Sequence, residues 1–180
     1  DYLNAIRERV VVYDGGMGAT LEQFELESED YGGLPGKCHE ALVLHRPDVI
    51  EGVHTSMLDA GAEVVETDTF QGSRLKLDEW GLGEHTLEIN TKAAQIARKA
   101  AGESRFVAGS IGPTGYLPAS DDPTLGAISF DRLVEIFTEQ AKGLVVAVHP
   151  LLVDVVDHSY RLRLWQAGEA ASVASDDEGF

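Results

Sequence analysis

The residues best suited to chemistry lie where short apolar segments run into acids, glycines and hydroxyls. Residues 10–13 are three valines and a tyrosine, and they lead directly into Asp14, Gly15, Gly16 and Gly18. The apolar segment is typical of a short buried strand, and glycine lets a ligand approach the backbone closely. In α/β proteins, carboxylates at strand ends are where chemistry is placed. The same residues are compatible with a plain tight turn that Asp14 stabilises.

Two further segments repeat this arrangement. Residues 62–66 form an apolar segment that ends in Glu66, and a hydroxyl-rich loop follows at 67–70. Residues 105–108 lead into a third loop, 109–115, which carries glycines and hydroxyls. Asp14 and Glu66 are therefore candidates for a general acid and a general base on neighbouring strands. Solvated or helix-capping roles are common alternatives for such acids.

Helices are predicted between these strands. Pro47 opens a helix with an apolar stripe at steps of four, and Gly61 follows its end. An alanine-rich helix spans 87–101, and Ser129 caps a third helix. Its expected apolar stripe is Phe130, Leu133, Val134, Phe137, Ala141 and Leu144. Residues 2–9 predict a short helix, residues 27–46 an irregular surface excursion, residues 116–128 a polar loop and residues 151–153 a fourth strand.

Strands near residues 10, 63, 105 and 151, each separated by a helix, predict parallel strands with right-handed crossovers. An open doubly wound sheet and a β/α barrel both satisfy this pattern. The first loop lacks a G-x-G-x-x-G phosphate cradle and carries Asp14, which would repel a phosphate, so the barrel is favoured. A barrel needs eight units and typically ~250 residues. The predicted fold is therefore α/β, a partial (β/α)8 TIM barrel of about the first four βα units.

Composition narrows the function classes. The formal net charge of −17 argues against nucleic acid and anionic membranes as partners. No apolar run approaches the ~20 residues that span a bilayer, and the N-terminus lacks the order of a secretion signal. The single cysteine, Cys38, excludes an internal disulfide and favours a cytoplasmic location. Its spacing from His39 and His45 matches no standard zinc pattern. His54 and His85 are expected to be surface or hydrogen-bonded core histidines.

Six segments agree in order and spacing, over roughly residues 5–145, with those of a known family. They are residues 9–18, 46–50, 59–70, 97–101, 105–114 and 139–144. Together they resemble the homocysteine-binding barrel of cobalamin-dependent methionine synthase. This family includes the betaine–homocysteine and S-methylmethionine–homocysteine methyltransferases.

The resemblance implies methyl transfer to the sulfur of homocysteine, with methionine as the product. In the family, zinc held by three cysteine thiolates binds that sulfur. The methyl donor is betaine, S-methylmethionine or, in the methionine synthase type, methylcobalamin on a further domain of the full-length protein, and the resemblance leaves these three donors open. The acid of the first loop lies beside the homocysteine amino group, and the loop after the second strand lines the pocket, where Asp68 replaces an amide. The residues assigned to substrate on this basis are Asp14, Gly15, Gly16, Glu66, Thr67, Asp68, Thr69 and Asp154.

Two departures from the family limit these expectations. The family's zinc cysteines follow the sixth and eighth strands, and Cys38 matches neither position, so no metal ligand is assigned. From Val146 onward the similarity is lost, and Asp154 replaces the family's strand-end Glu only if one residue is missing. The expected domains are residues 1–145, the N-terminal half of the barrel, and residues 146–180, a divergent segment that is frameshifted or disordered.

The leading hypothesis is a methyltransferase of the methionine synthase type, inactive as this truncated chain. The alternative is a non-catalytic half-barrel that binds a partner chain or is a remnant. A third is another small-molecule barrel enzyme that uses Asp14 and Glu66 as acid and base. The expected partners are homocysteine and the cobalamin domain, with no nucleic acid and no membrane.

Overall fold

The computed structural model describes residues 2–35, 37–116, 128–147, 152–155 and 163–166, and for 146, 147 and the last two ranges it describes the backbone alone. The helices are α1 Tyr2–Glu8, α2 Met17–Leu21, α3 His39–His45, α4 Pro47–Asp59, α5 Arg74–Asp78, α6 Thr86–Ala101 and α7 Phe130–Ala147. Short 3-10 turns lie at Ser28–Tyr31 and Gly83–His85. The strands are β1 Val64–Glu66, β2 Phe106–Ile111, β3 Leu152–Val155 and β4 Arg163–Gln166.

The strands form one sheet in the order β1-β2-β3-β4. β1 pairs in parallel with β2, and β2 pairs in parallel with β3, with helices in the connections. This confirms the predicted α/β class with a parallel sheet. β4 pairs antiparallel with β3, which the strand–helix alternation did not predict. The strand expected at residues 10–13 is reduced to one parallel bridge, between Tyr13 and Val64.

The two central helices follow directly from their sequences. Proline occupies the first turn of α4, where its missing N–H leaves no intrahelical hydrogen bond unmade. α6 buries a stripe of alanines at helical spacing, and these small side chains let the helix pack closely on β1 and β2. The core between α6 and the sheet contains Val65, Val107 and Leu144. This packing fixes where the β1 and β2 strands end, and hence where their loops begin.

Three expectations about the chain were wrong in whole or in part. The surface excursion expected at residues 27–46 ends where α3 begins, because α3 buries Ala41, Leu42 and Val43 in the core. On α7, Leu133 and Leu144 are buried as expected, and Phe137 and Ala141 pack against the core. Phe130 is 71% exposed and Val134 47% exposed, and Ile136 and Gln140 are buried instead. The buried face is therefore rotated away from Phe130 and Val134. His54 is neither a surface nor a hydrogen-bonded histidine, since it is fully buried and neither ring nitrogen has a partner among the described residues.

Other expectations concern residues with little or no description. The predicted loop at 116–128 falls mostly on residues 117–127, outside the described residues. Of the divergent segment 146–180, the structure describes only the end of α7 and the backbones of β3 and β4. His85 is on the surface as expected, 3.0 Å from Glu88 through its Nδ1. Across the described ranges, the helices lack the length and apolar character needed to cross a bilayer.

Candidate functional site

A cavity of about 410 Å³ lies at the carboxyl ends of the parallel strands. Its floor is formed by the loops that follow residues 10–13, β1 and β2, and one wall is formed by residues 37–40 at the start of α3 together with Trp80, which follows α5. The lining residues of the floor are Asp14, Gly15, Gly16, Met17, Gly18, Glu66, Thr67, Asp68, Phe70, Gln71 and Ser110. Those of the wall are Lys37, Cys38, His39, Glu40 and Trp80.

Asp14 and Glu66 are held side by side in this floor. The backbone N–H of Glu66 donates a hydrogen bond to Oδ2 of Asp14 over 3.0 Å, and the Ser110 hydroxyl donates to Oε2 of Glu66 over 3.4 Å. Burial raises the pKa of Asp14 to about 6; the backbone hydrogen bond opposes this shift and the charge of Glu66 adds to it. Asp14 therefore presents a carboxylate to the cavity at neutral pH and takes up a proton in mildly acidic solution.

The hydroxyls of Thr67 and Thr69 connect the ends of β1 and β2 through hydrogen bonds. The backbone N–H of Ser110 donates to the Thr67 hydroxyl over 2.9 Å, and the Thr69 hydroxyl donates to the Ser110 carbonyl over 2.7 Å. The two threonine hydroxyls are 2.6 Å apart and share a hydrogen bond. Gln140 on α7 donates to the Thr69 carbonyl over 2.8 Å. Thr69 thus lies behind the lining and holds the floor in place.

Glu40 in the wall and Asp68 in the floor form a second, buried pair of acids. Glu40 accepts the backbone N–H of Gln71 at 2.7 Å through Oε1, and the Cys38 thiol donates to its Oε2 over 3.8 Å. Burial raises the pKa of both carboxyls, and the charge of Glu40 raises that of Asp68 further. Burial, with the charge of Glu40, also raises the pKa of the Cys38 thiol to about 12. Cys38 is therefore a protonated thiol at neutral pH.

Most of the residues predicted from the sequence meet at this cavity. Asp14, Gly15, Gly16, Glu66, Thr67 and Asp68 all line it. Asp154 pairs in register with Ser110, so its backbone lies beside a lining residue. The roles of these residues, and of Thr69, toward a substrate stay predictions.

The sequence reasoning missed Glu40, because residues 27–46 were predicted to lie at the surface. One signal was present in the sequence. Glu40 directly precedes the apolar residues 41–44, so it belongs to the first turn of a helix that must be buried. A carboxylate in that position is held at the edge of the core.

The zinc site that the resemblance implies does not fit the residues present. That site needs three thiolates, whereas this sequence has one cysteine, and that cysteine is a buried thiol. Among the described residues, no group of three or more His, Cys, Asp or Glu is arranged to hold a metal ion. No step of a reaction is therefore assigned to zinc in this chain.

Comparisons with known proteins agree with this architecture. A family model described as homocysteine S-methyltransferase matches residues 11–162. The oxidized form of the homocysteine methyltransferase MmuM from Escherichia coli is similar at 25% identity with a TM-score of 0.66, over 84% of this chain and 55% of that chain. Its metallated form, at 22% identity, a TM-score of 0.62, and 83% and 55% coverage, shows the fold alone. The chain spans about half the length of these enzymes. The chain belongs to the homocysteine S-methyltransferase family.

Proposed function

We propose that this chain is the homocysteine-binding part of a methyltransferase that methylates the sulfur of homocysteine and forms methionine. The observation that carries the proposal is the cavity at the strand ends, where the Asp14 carboxylate lies beside Glu66 in a chain of this family. The matching segments named above favour the methionine synthase type, with a cobalamin-carrying domain as the partner that supplies the methyl group. The parallel strands would then form part of a (β/α)8 barrel.

The floor of the cavity suits the ammonium end of an amino acid. Asp14 and Glu66 place two acids where an ammonium group can bind, and a hydrogen bond to a charged group contributes ~1.5–3 kcal/mol. Gly15 and Gly16 are exposed and carry no side chain, so a ligand can approach the backbone of the loop. The residues of this chain therefore bind and orient homocysteine. The location we propose is the cytoplasm, because a free thiol persists in a reducing compartment.

The isolated 180-residue chain is expected to have no methyl-transfer activity. One buried thiol cannot replace three thiolates, so the homocysteine sulfur would not be held as a thiolate. The measurement is methionine formation from homocysteine and methylcobalamin by the purified chain, with zinc added. Steady turnover would contradict the prediction.

Asp14→Asn is expected to weaken homocysteine binding about tenfold to hundredfold, because it removes the charge from a charge-assisted hydrogen bond. The ammonium binds the ionised acid, so wild-type affinity should fall as the pH drops through about 6, the pKa of Asp14. The variant has no such group and should lose this pH dependence. The measurement is an NMR titration of the 180-residue chain with homocysteine over a range of pH.

The control for Asp14→Asn is Asp59→Asn, the same chemical change at an exposed residue of α4 that does not line the cavity. It should leave both the affinity and its pH dependence unchanged. Equal dissociation constants for Asp14→Asn and the wild type would remove Asp14 from the site.

A second candidate function is a non-catalytic half-barrel. The single buried thiol, Cys38, favours this function. A chain without the three zinc thiolates would still recognise homocysteine but would not catalyse methyl transfer to its sulfur. Translating the gene beyond the codon for Phe180 in all three frames separates the two. A downstream Gly-Gly-Cys-Cys segment would favour the methyltransferase, and its absence would favour the half-barrel.

A further inference from the structure

Glu40 in the wall and Asp68 in the floor are two acids of the cavity without a salt-bridge partner among the described residues. Glu40 is 6% exposed and Asp68 is 5% exposed, and both line the cavity. Two ionised carboxylates in such a site repel each other and lack hydration, which favours a state in which one of them keeps a proton.

The hydrogen bonds identify the ionised member as Glu40. Its Oε1 accepts the backbone N–H of Gln71 at 2.7 Å and its Oε2 accepts the Cys38 thiol at 3.8 Å. His39 is close enough to favour the charged form of Glu40. Each of these contacts stabilises a carboxylate rather than a carboxylic acid.

Asp68 has the opposite surroundings. Its Oδ2 is buried and has no hydrogen-bond partner among the described residues, and Asp68 as a residue lines the cavity. Burial and the charge of Glu40 both favour the protonated form of Asp68. A buried carboxylic acid without a partner is unfavourable, unless a ligand supplies an acceptor.

The other charged and titratable groups around Asp68 do not alter this assignment. Tyr31 and Cys38 are near enough to respond to the charge of Asp68, and for both the pKa is raised, so they are neutral at physiological pH. Lys37 lines the cavity, but its ammonium group is bonded to Glu22 at 2.9 Å. Across the cavity, Asp14 and Glu66 add negative charge.

We propose that Asp68 faces the cavity as a neutral carboxylic acid, with Glu40 as its ionised partner, and donates its O–H to the carboxylate of the bound amino acid. The inference rests on the proposed function and names the group that recognises the second end of homocysteine. Asp14 and Glu66 suit the ammonium group, whereas an ionised Asp68 would repel the carboxylate. The O–H···O⁻ hydrogen bond that results is of the strong, charge-assisted type.

The test compares two variants that separate hydrogen-bond donation from charge. Asp68→Asn keeps a donor of the same shape, and homocysteine should bind it within about threefold of the wild type. Asp68→Leu removes the donor, and binding should weaken about tenfold to hundredfold. Wild-type affinity should fall as alkaline pH ionises Asp68, beyond the ligand's own titration, and Asp68→Asn should lose this additional fall. If Asp68 instead binds a cation as a carboxylate, Asp68→Asn would lose affinity and the proposal would be wrong.

A second measurement, on the ligand-free chain, tests the protonation of Asp68 independently of ligand binding, and its main arm uses the wild type. Carboxyl ¹³C NMR should show Asp68 protonated and Glu40 ionised at neutral pH, and Glu40→Gln should move the Asp68 titration to lower pH. An ionised Asp68 at neutral pH would overturn the proposal even if homocysteine binds. If Asp68 is protonated but the wild type does not bind homocysteine, the proposed function fails, and the contact to its carboxylate fails with it.

Discussion

Gly143→Ala is expected to lower the free energy of unfolding by about 1–3 kcal/mol, since an added methyl group would overpack the α6–α7 interface. Helix propensity alone predicts the opposite sign, because alanine is favoured over glycine in a helix by about 1 kcal/mol. A Cβ at this position would lie 2.7 Å from Cβ of Asn90 and 3.0 Å from the carbonyl oxygen of Leu87. Asn90 cannot move aside, because its amide donates to the carbonyls of Gly72 and Thr86 over 2.7 and 2.8 Å.

Gly52→Ala provides the matched control. Gly52 lies inside α4, and no other segment or side chain of the described residues comes within 4 Å of an added Cβ. Helix propensity then decides the sign of the change in stability, and the free energy of unfolding of Gly52→Ala should be higher by about 0.5–1 kcal/mol. Urea denaturation of both variants measures the difference. A stabilised Gly143→Ala would mean that α6 and α7 are packed less closely than the structure shows.

His54 is expected to make the protein about 3 kcal/mol less stable as the pH falls from about 6.5 to about 4. Burial lowers the pKa of His54 from 6.5 to about 4, while the unfolded chain keeps the ordinary value. Between these pH values the unfolded state binds more protons than the folded state. The contribution of neutral His54 to stability is therefore complete above about pH 6.5 and is lost as the pH falls. In His54→Leu this loss should disappear. The measurement is the difference in unfolding free energy between the wild type and the variant as a function of pH.

Acids with raised pKa values make the protein more stable as the pH falls, which opposes the effect of His54. The effect of His54 is therefore measured as the difference between the wild type and the variant. Asp14, Glu40 and Asp68 favour the folded state as the pH falls, and they are present in both proteins. His85→Leu is the surface control, since this histidine is exposed, and it should change stability by less than about 0.5 kcal/mol. If the unfolding free energies of the wild type and His54→Leu changed equally with pH, His54 would not have a lowered pKa in the folded protein.

Much of the fold follows from local sequence patterns. The stripe of α4, the alanines of α6 and the apolar segments of β1 and β2 each contain their own signal, and their order predicts a parallel sheet. The errors arose where a tertiary contact decides the outcome. Phe130 was expected in the core by helical spacing, but which side of α7 is buried depends on where α6 lies. The antiparallel pairing of β4 has no signal in the alternation of strands and helices.

The candidate site was also predicted only in part from the sequence. Asp14, Glu66 and Asp68 were found because each follows an apolar segment, and parallel strands bring their carboxyl ends to one edge. Glu40 was missed because its place at the cavity depends on how α3 packs against distant parts of the chain. The hydrogen bond from Gln71 to Glu40 joins residues 31 positions apart. Local periodicity contains no information about a contact at that separation.

The hydrogen bonds of Thr67 and Thr69 have a consequence for the thermodynamics of ligand binding. Thr67, Thr69 and Ser110 tie the two strand ends together, and the hydrogen bond between Glu66 and Asp14 adds the first loop to the same unit. Fixing the backbone of one residue costs about 1–2 kcal/mol of conformational entropy, and here that cost is met when the chain folds. A ligand that enters the cavity therefore encounters a preorganised floor, and its affinity is not reduced by the ordering of these loops.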